Sequence, residues 1–186
     1  ERTGAQPDTV GGYFKLNPRV DDLPDALSAR LGNIKFMRLG GVKKGGSGCI
    51  CPESTLLRAL VTHIVLARDE VVVMDMEAGI EHLGRGTARA VNKLLVVVEP
   101  GRRSIDTAEH IRKLAGEIGL KNIAVVGNKI RSPRDEAFLR EHLAGFAFLG
   151  FLPYDNALIE ADLAGVSPFD VASPAKAAVK EMIGRL

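Results

Sequence analysis

Short, continuous runs of apolar residues separated by helical patterns constrain this chain more than any other feature of its sequence. The runs are Val71–Met74, Leu94–Val98, Ile123–Val126 and Ala147–Leu152. Such runs are typical of strands buried on both faces, as in a parallel sheet covered by helices. Helical patterns lie between them, and Ser132 and Ser173, each followed by Pro, predict helix starts. The alternation predicts an α/β fold with a mostly parallel sheet and helices on both faces.

The remaining elements follow from local patterns. Residues 1–33 are rich in Gly, Pro and Asp, which predicts extended loops with one short helical turn and no strand. Residues 34–39 alternate like a strand near a sheet edge, and residues 52–68 carry one apolar helical face. Ser104 is predicted to cap a helix that Gly119 ends.

Composition places the chain among folded proteins and excludes several functions. Its 186 residues are 46% apolar and 26% charged, enough for one core, so we expect a single domain over residues 1–186. The net charge of +2 argues against a broad nucleic-acid surface or an anionic membrane as partner. No apolar run reaches a membrane span of about 18 residues, and the polar start carries no signal-peptide core. We therefore expect a cytoplasmic protein and, because the chain starts at Glu1, one whose N-terminal part is missing from this sequence.

Ligands of open parallel sheets bind at the carboxyl ends of the strands, so the residues after each run are candidates for a site. Asp75 follows the first run, where a carboxylate needs a partner such as Mg²⁺ with its water shell. Gly79 would let a backbone N–H approach a terminal phosphate. The alternative is an ordinary aspartate capping a turn.

Two later strand ends carry polar residues of the same kind. Asn128 offers both a donor and an acceptor, which suits the edge of a purine, although Asn is also common in turns. Asp155 comes after Pro153, and it either contacts a ligand or caps the helix that follows. Arg102 and its neighbour Arg103 follow the second run and are expected to be solvated.

The glycine-rich loop before residue 52 is not a phosphate loop. It resembles the pattern G-x-x-x-x-G-K-[ST], but Cys49 stands where the lysine should be and Ile50 where Ser or Thr should be. The positive charge and the hydroxyl that would bind Mg²⁺ are therefore both missing.

Cys49 and Cys51, the two cysteines of the chain, carry a sharper signal. A predicted helix begins at Pro52, and a helix N-terminus lowers a thiol pKa and favours the metal-binding thiolate. Zn²⁺ usually takes four tetrahedral ligands, and a two-fold dimer would supply two sulfurs from each chain. Four thiolates would also hold Ni²⁺. Inert loop cysteines or a redox pair are the alternatives.

Three separated motifs resemble one family. Residues 75–87 resemble the second switch of the MinD/NifH-like ATPases, which are deviant P-loop proteins, and residues 45–53 and 98–104 look like the CooC-type subgroup. That subgroup is the nickel-insertion ATPase for carbon monoxide dehydrogenase. The resemblance covers nearly the whole chain and implies a P-loop NTPase fold of the SIMIBI, MinD-like type.

The resemblance also implies roles for individual residues in binding and hydrolysing ATP. Asp75 would assist Mg²⁺ and the attacking water, and Gly79 would sense the γ-phosphate. The adenine of ATP or ADP would be framed by Asn128, Pro153 and Asp155.

For the cysteines, the resemblance implies one metal ion, Ni²⁺ or Zn²⁺, held by Cys49 and Cys51 at the interface of a homodimer. ATP hydrolysis would reshape that interface and release nickel to carbon monoxide dehydrogenase. A related maturation ATPase for acetyl-CoA synthase, a MinD-like positioning ATPase and a zinc-stapled dimer without enzymatic activity are the alternatives.

One departure from the family concerns the phosphates. The family begins with a strand and a Gly-Lys-Gly-Gly-x-Gly-Lys-Thr loop, and neither is found in residues 1–186. We therefore expect the sheet formed by these residues to lack a central strand, and ATP hydrolysis to belong to the intact protein.

Overall fold

The computed structural model describes residues 3–4, 15, 18–38, 51–67, 70–76, 83 and 91–186 and, in the helix at 51–67, the side chains of residues 55–63. The chain divides into two compact units, Glu1–Val91 and Asn92–Leu186, which we describe in turn. The single domain expected over residues 1–186 stays a prediction.

The first unit contains a short helix, a hairpin and a long helix. The elements are α1 (Leu23–Leu27), antiparallel strands β1 (Ala29–Leu31) and β2 (Ile34–Phe36), and α2 (Cys51–Ala67). Val20 and Leu23 pack with Leu60 of α2 in a small apolar core. The helical turn, the strand at 34–36 and the long helix confirm the predictions. The prediction of no strand before residue 33 is wrong, because a strand as short as β1 shows no readable alternation.

The apolar run Val71–Met74 does not form the predicted strand. Residues 70–76 are all described and none is in a strand, and Val71 and Val73 are 95% and 87% exposed. An apolar run becomes a strand only when a neighbouring strand pairs with its backbone N–H and C=O groups. No described strand pairs with this segment, so the pattern alone was not sufficient.

The second unit is a three-stranded parallel sheet with helices between its strands. In chain order its elements are β3 (Leu94–Val98), α3 (Arg102–Glu117), β4 (Ile123–Ile130), α4 (Pro133–His142), β5 (Ala147–Pro153), α5 (Asn156–Leu163) and α6 (Pro174–Ile183). The strands lie in the order β3-β4-β5, and both pairings are parallel. The apolar runs predicted the position of all three strands.

Helices cover both faces of this sheet. Ala124 and Val126 of β4 pack with Met182 of α6. The next residue of β4, Gly127, faces the other side of the sheet, and a Cβ atom added there would lie 3.1 Å from Cδ1 of Leu139 in α4. Because successive residues of a strand point to opposite faces, α6 and α4 lie on opposite sides of the sheet. The predicted α/β fold with a parallel sheet and helices on both faces is confirmed for the described residues.

Strand β3 is not buried on both faces, contrary to the prediction from its continuous apolar run. Its residues alternate between buried and exposed, and Leu95 and Val97 are 41% and 59% exposed while Val98 is 1% exposed. The continuous apolar run therefore forms a strand that the described residues cover on one face only.

Helix ends follow the predicted capping residues with one exception. Ser132 and Asp135 form a reciprocal capping box at α4, and Ser173 accepts a hydrogen bond from the backbone N–H of Ala175 at the start of α6. Gly119, just beyond α3, has a φ of +81°, which L side chains rarely adopt. Ser104 does not cap α3, because Gly101 occupies the N-cap position instead.

Arg185, which follows α6, contacts a bulge in β5. Val125 pairs with Phe148 and Val126 with Gly150, so Leu149 is an extra residue in β5. The carbonyl oxygen of Leu149 accepts a hydrogen bond from Nη1 of Arg185 at 3.1 Å. Arg185 thus gives the distorted strand a hydrogen-bond donor from beyond the end of α6.

In the described part of the chain, no helix combines the length and the apolar character needed to cross a bilayer.

Candidate functional site

The polar residues predicted after β4 and β5 lie at the carboxyl edge of the parallel sheet. Strands β3, β4 and β5 run in the same direction, so their carboxyl ends meet at this edge. Glu99 directly follows β3, Asn128 lies near the end of β4, Pro153 ends β5, and Asp155 follows two residues later. The structure therefore places Asn128, Pro153 and Asp155 at one edge, and their contacts with a ligand stay predictions.

A second bulge distorts β4 at this edge. Gly127 pairs with Phe151 and Ile130 with Pro153, so two residues of β4 stand opposite one residue of β5. Lys129, one of the two, has a φ of +57° and is the only described residue other than glycine with a positive φ. A left-handed backbone costs about 1–2 kcal/mol at such a residue. Bulges of this kind are frequent next to active sites, where they redirect a side chain.

Two contacts hold Lys129 in this conformation. Its backbone N–H donates a hydrogen bond to Oδ1 of Asn128 at 2.9 Å. Its Nζ lies 2.7 Å from Oε1 of Glu99, which follows the neighbouring strand. Both charged side chains are about half exposed, at 55% and 50%, and such pairs contribute roughly 0–1 kcal/mol. The pair therefore matters for geometry more than for overall stability.

Glu99 is itself positioned by the start of α3. Its backbone N–H donates a hydrogen bond to Oγ of Ser104 at 2.9 Å. Ser104, predicted to cap the helix, instead connects the helix to the end of β3. Sequence reasoning missed both Glu99 and Lys129, because each reads as an ordinary solvated charge when its partner is unknown.

Asp155 connects two helix N-termini. Its Oδ1 accepts a hydrogen bond from the backbone N–H of Ala157 at 2.9 Å, which caps α5. Its Oδ2 accepts a hydrogen bond from Oγ of Ser173 at 2.5 Å. Oγ of Ser173 in turn accepts a hydrogen bond from the backbone N–H of Ala175 in α6 at 3.1 Å. The capping alternative from the sequence is confirmed. Both carboxylate oxygens are used within the protein, so Asp155 is oriented before any ligand arrives.

The same hydrogen bonds stabilise the ionised form of Asp155. The hydrogen bond from Ser173 is the main cause that lowers the pKa of the Asp155 carboxyl below its ordinary value of 3.8. The N–H groups of Ala157 and Ala175 lower it further, and desolvation opposes them. Asp155 is therefore a carboxylate throughout the neutral pH range.

The guanidinium of Arg131 lies over the ring of Tyr154, next to these residues. The guanidinium carbon of Arg131 lies 4.5 Å from the centre of the Tyr154 ring, and the N–H of Tyr154 donates to the carbonyl of Ile130 at 2.8 Å. Aromatic rings and guanidinium planes of this kind are surfaces on which nucleobases stack. The aromatic residue between Pro153 and Asp155 was the available sequence signal for this feature.

A shallow cavity of about 280 Å³ opens between the starts of α3 and α4. Its lining carries two arginines, and the residues are Pro100, Gly101, Arg102, Arg134, Asp135 and Phe138. Arg102, expected to be solvated, thus lines a cavity beside the end of β3.

Asp75 is described in the first unit, where its side chain is exposed. It belongs to the segment at residues 70–76, which forms neither a helix nor a strand, and Gly79 lies outside the described residues. The roles of Asp75 and Gly79 toward Mg²⁺ and phosphate stay predictions.

The cysteine motif is described in part. Cys51 is the first residue of α2, which places its backbone at a helix N-terminus as expected, and Cys49 lies outside the described residues. Among the described residues, no three His, Cys, Asp or Glu side chains are grouped so that they could hold a metal ion. Because Cys49 lies outside this search, the metal site predicted at Cys49 and Cys51 stays a prediction.

Two curated proteins are similar to most of this chain, and one of them is named an ATP-binding protein. An uncharacterized ATP-binding protein of Methanocaldococcus jannaschii is 45% identical over 185 residues, which are 98% of this chain and 71% of that protein. The carbon monoxide dehydrogenase accessory protein CooC of Rhodospirillum rubrum is 49% identical over 175 residues, which are 94% of this chain and 66% of that protein. The chain thus spans about two thirds of the length of these relatives.

No protein-family model matches the chain. Among solved structures, the MinD cell division protein of Aquifex aeolicus aligns with a TM-score of 0.48 and 21% identity, covering 55% of this chain and 47% of that one.

Proposed function

Because this chain belongs to a family of ATP-binding proteins that includes the carbon monoxide dehydrogenase accessory protein CooC, we propose that it forms most of an ATP-dependent nickel chaperone for carbon monoxide dehydrogenase. The observation that carries the proposal is its 49% identity, over 94% of its length, to a carbon monoxide dehydrogenase accessory protein. In this proposal residues 1–186 belong to one nucleotide-binding domain of a soluble, cytoplasmic ATPase.

ATP would bind at the carboxyl edge of the sheet. Asn128, Pro153 and Asp155 would frame the adenine, and their placement at one edge of β4 and β5 supports this role. Both carboxylate oxygens of Asp155 are already engaged at helix N-termini, so this side chain would not move toward the base. It would instead fix the backbone next to Pro153, whose ring would face the adenine. Gly79 would approach the γ-phosphate through its backbone.

Mg²⁺ fits the donor that the first unit offers. Asp75 presents an exposed carboxylate, and carboxylate oxygen is the hard ligand that Mg²⁺ prefers. When bound, Mg²⁺ would neutralise charge on the phosphates. Asp75 would hold the ion through its water shell and orient the attacking water.

Nickel would be the cargo of the protein. Cys49 and Cys51 supply two soft sulfur donors, and the start of α2 at Cys51 favours the thiolate form of a nearby thiol. Two donors leave a transition-metal ion undercoordinated, so a second copy of the chain would complete the site with its own pair. A homodimer that closes on ATP and opens after hydrolysis would then bind and release the ion.

Nickel titration of the full-length, metal-free protein tests this function. We expect thiolate-to-metal charge-transfer absorption and a shift from monomer to dimer in gel filtration, with the dimer responding to ATP. The double variant Cys49→Ala, Cys51→Ala should lose both signals, and Ser47→Ala in the same loop should keep them. Equal nickel binding by the double variant would contradict the proposal.

The other clients and roles predict different results. A zinc-stapled dimer without enzymatic activity would lose its dimer in the cysteine variant but ignore nucleotide. A maturation factor for acetyl-CoA synthase would activate that enzyme, and not carbon monoxide dehydrogenase, in a reconstitution with purified apoenzyme.

A further inference from the structure

We propose that Lys129 is a positioning residue for the nucleotide base, because its left-handed backbone and its ion pair with Glu99 fix the direction of the Asn128 amide. This inference rests on the proposed function, in which Asn128 contacts the adenine.

The bulge determines where Asn128 stands. Between Gly127 and Ile130, β4 has one residue more than β5, and a bulge of this kind turns the local side chains away from the regular alternation. The φ of +57° at Lys129 places the extra residue in the left-handed region. A residue that disfavours this region would restore a regular strand and shift Asn128 to another direction.

The Asn128 amide is oriented by the backbone of the next residue. A backbone N–H can only donate, so the amide atom 2.9 Å from the N–H of Lys129 has to be the oxygen. The Nδ2 group is therefore on the other side of the amide, and within the described part of the chain it makes no hydrogen bond. It remains available as a donor, and the ring nitrogens of a purine are acceptors.

Glu99 holds the bulge from the neighbouring strand. Its carboxylate lies 2.7 Å from Nζ of Lys129, and its backbone is bound to Oγ of Ser104. The ion pair thus connects the ends of β3 and β4 across the edge at which the base would bind. Removing this carboxylate should loosen the bulge without altering any group that contacts the nucleotide.

Substitutions at Lys129 separate the backbone from the charge. In the full-length protein, Lys129→Gly keeps the left-handed backbone but loses the ion pair, whereas Lys129→Val loses both, because a β-branched residue disfavours a positive φ. Glu99→Gln removes the ion pair alone. Lys121→Gly, at another exposed lysine, is the matched control.

Calorimetry with two ligands distinguishes base positioning from a general structural role. We expect Lys129→Val to weaken ATP binding about tenfold, and Lys129→Gly and Glu99→Gln about threefold, which is the range of one misplaced hydrogen bond. Inorganic tripolyphosphate, which has no base, should bind all variants like the wild type. Thermal unfolding of each variant verifies that it is folded.

Three results would overturn the inference. ATP affinity unchanged in Lys129→Val would show that the bulge does not orient the base contact. Equal loss of ATP and tripolyphosphate binding would show a general structural role instead. Absence of ATP binding by the wild-type protein would contradict the proposed function and, with it, the role of Lys129.

Discussion

Oγ of Ser173 donates a hydrogen bond to Oδ2 of Asp155 at 2.5 Å, and this contact joins the N-termini of two helices that are adjacent along the chain. The two residues are 18 positions apart. Since each side chain also caps its own helix, the pair couples α5 and α6 at the carboxyl edge of the sheet. The ionised carboxylate of Asp155 therefore contributes to the stability of this edge.

Acid should weaken this coupling. The folded-state pKa of Asp155 is lowered from 3.8, so its contribution to stability is present above that value and is lost as the pH falls through the lower folded-state pKa. Urea unfolding between pH 7 and pH 2 should show wild type losing stability below about pH 4, and Asp155→Asn should lose less over the same range. Asp170→Asn, at an exposed aspartate, should retain the wild-type acid dependence.

Ser173→Ala tests the same contact without changing charge. It removes an N-cap hydroxyl, so we expect the free energy of unfolding at pH 7 to fall by about 1 kcal/mol. It should also reduce the acid dependence, because the hydrogen bond from Ser173 is the main cause of the lowered Asp155 pKa. An unchanged acid dependence in this variant would show that the contact does not operate in solution.

Gly127→Ala should destabilise the protein. A Cβ atom at this buried position would contact Cδ1 of Phe151 far too closely and would lie 3.1 Å from Cδ1 of Leu139. Overpacking of this kind costs about 1–3 kcal/mol, measurable by urea unfolding.

The matched substitution is Gly116→Ala within α3, where an added Cβ meets no atom within 4 Å. Alanine is favoured over glycine in a helix, so the free energy of unfolding of this variant should rise by roughly 0.5–1 kcal/mol. The same chemical change should thus lower the free energy of unfolding at Gly127 and raise it at Gly116. Similar losses in both would contradict the packing described around Gly127.

Asp75→Asn should separate binding from hydrolysis in the full-length protein. The amide keeps the shape of the side chain but removes the charge that would hold Mg²⁺, so ATP hydrolysis should fall about 100-fold or more. ATP binding measured without Mg²⁺ should change less than about twofold. Asp162→Asn serves as the control at an exposed aspartate. Hydrolysis at the wild-type rate by Asp75→Asn would remove this residue from the catalytic step.

The sequence predicted those parts of the fold that depend on local pattern. Leu94–Val98 was predicted with the observed bounds, and Ser132 and Ser173 marked their helices, because apolar runs and capping residues act over a few neighbouring positions. The run Val71–Met74 shows the limit. It is apolar throughout, as β3 is, but a strand needs a partner, and the identity of the partner is not a local property.

For the candidate site, the sequence predicted positions better than contacts. Asn128 and Asp155 were found because they follow apolar runs, and strand ends are readable. The left-handed backbone of Lys129 could not be predicted, since a lysine carries no preference for a positive φ. The pairing of Lys129 with Glu99, and of Asp155 with Ser173, joins residues that only the folded sheet brings within reach.

The hydrogen bond from Arg185 to the carbonyl of Leu149 has a practical consequence for handling the protein. Loss of Arg185 would deprive the bulged strand of its guanidinium partner, so the effect would reach β5 rather than stay at the end of α6. Proteolytic trimming that removes residue 185 should therefore be checked for by mass spectrometry before crystallisation.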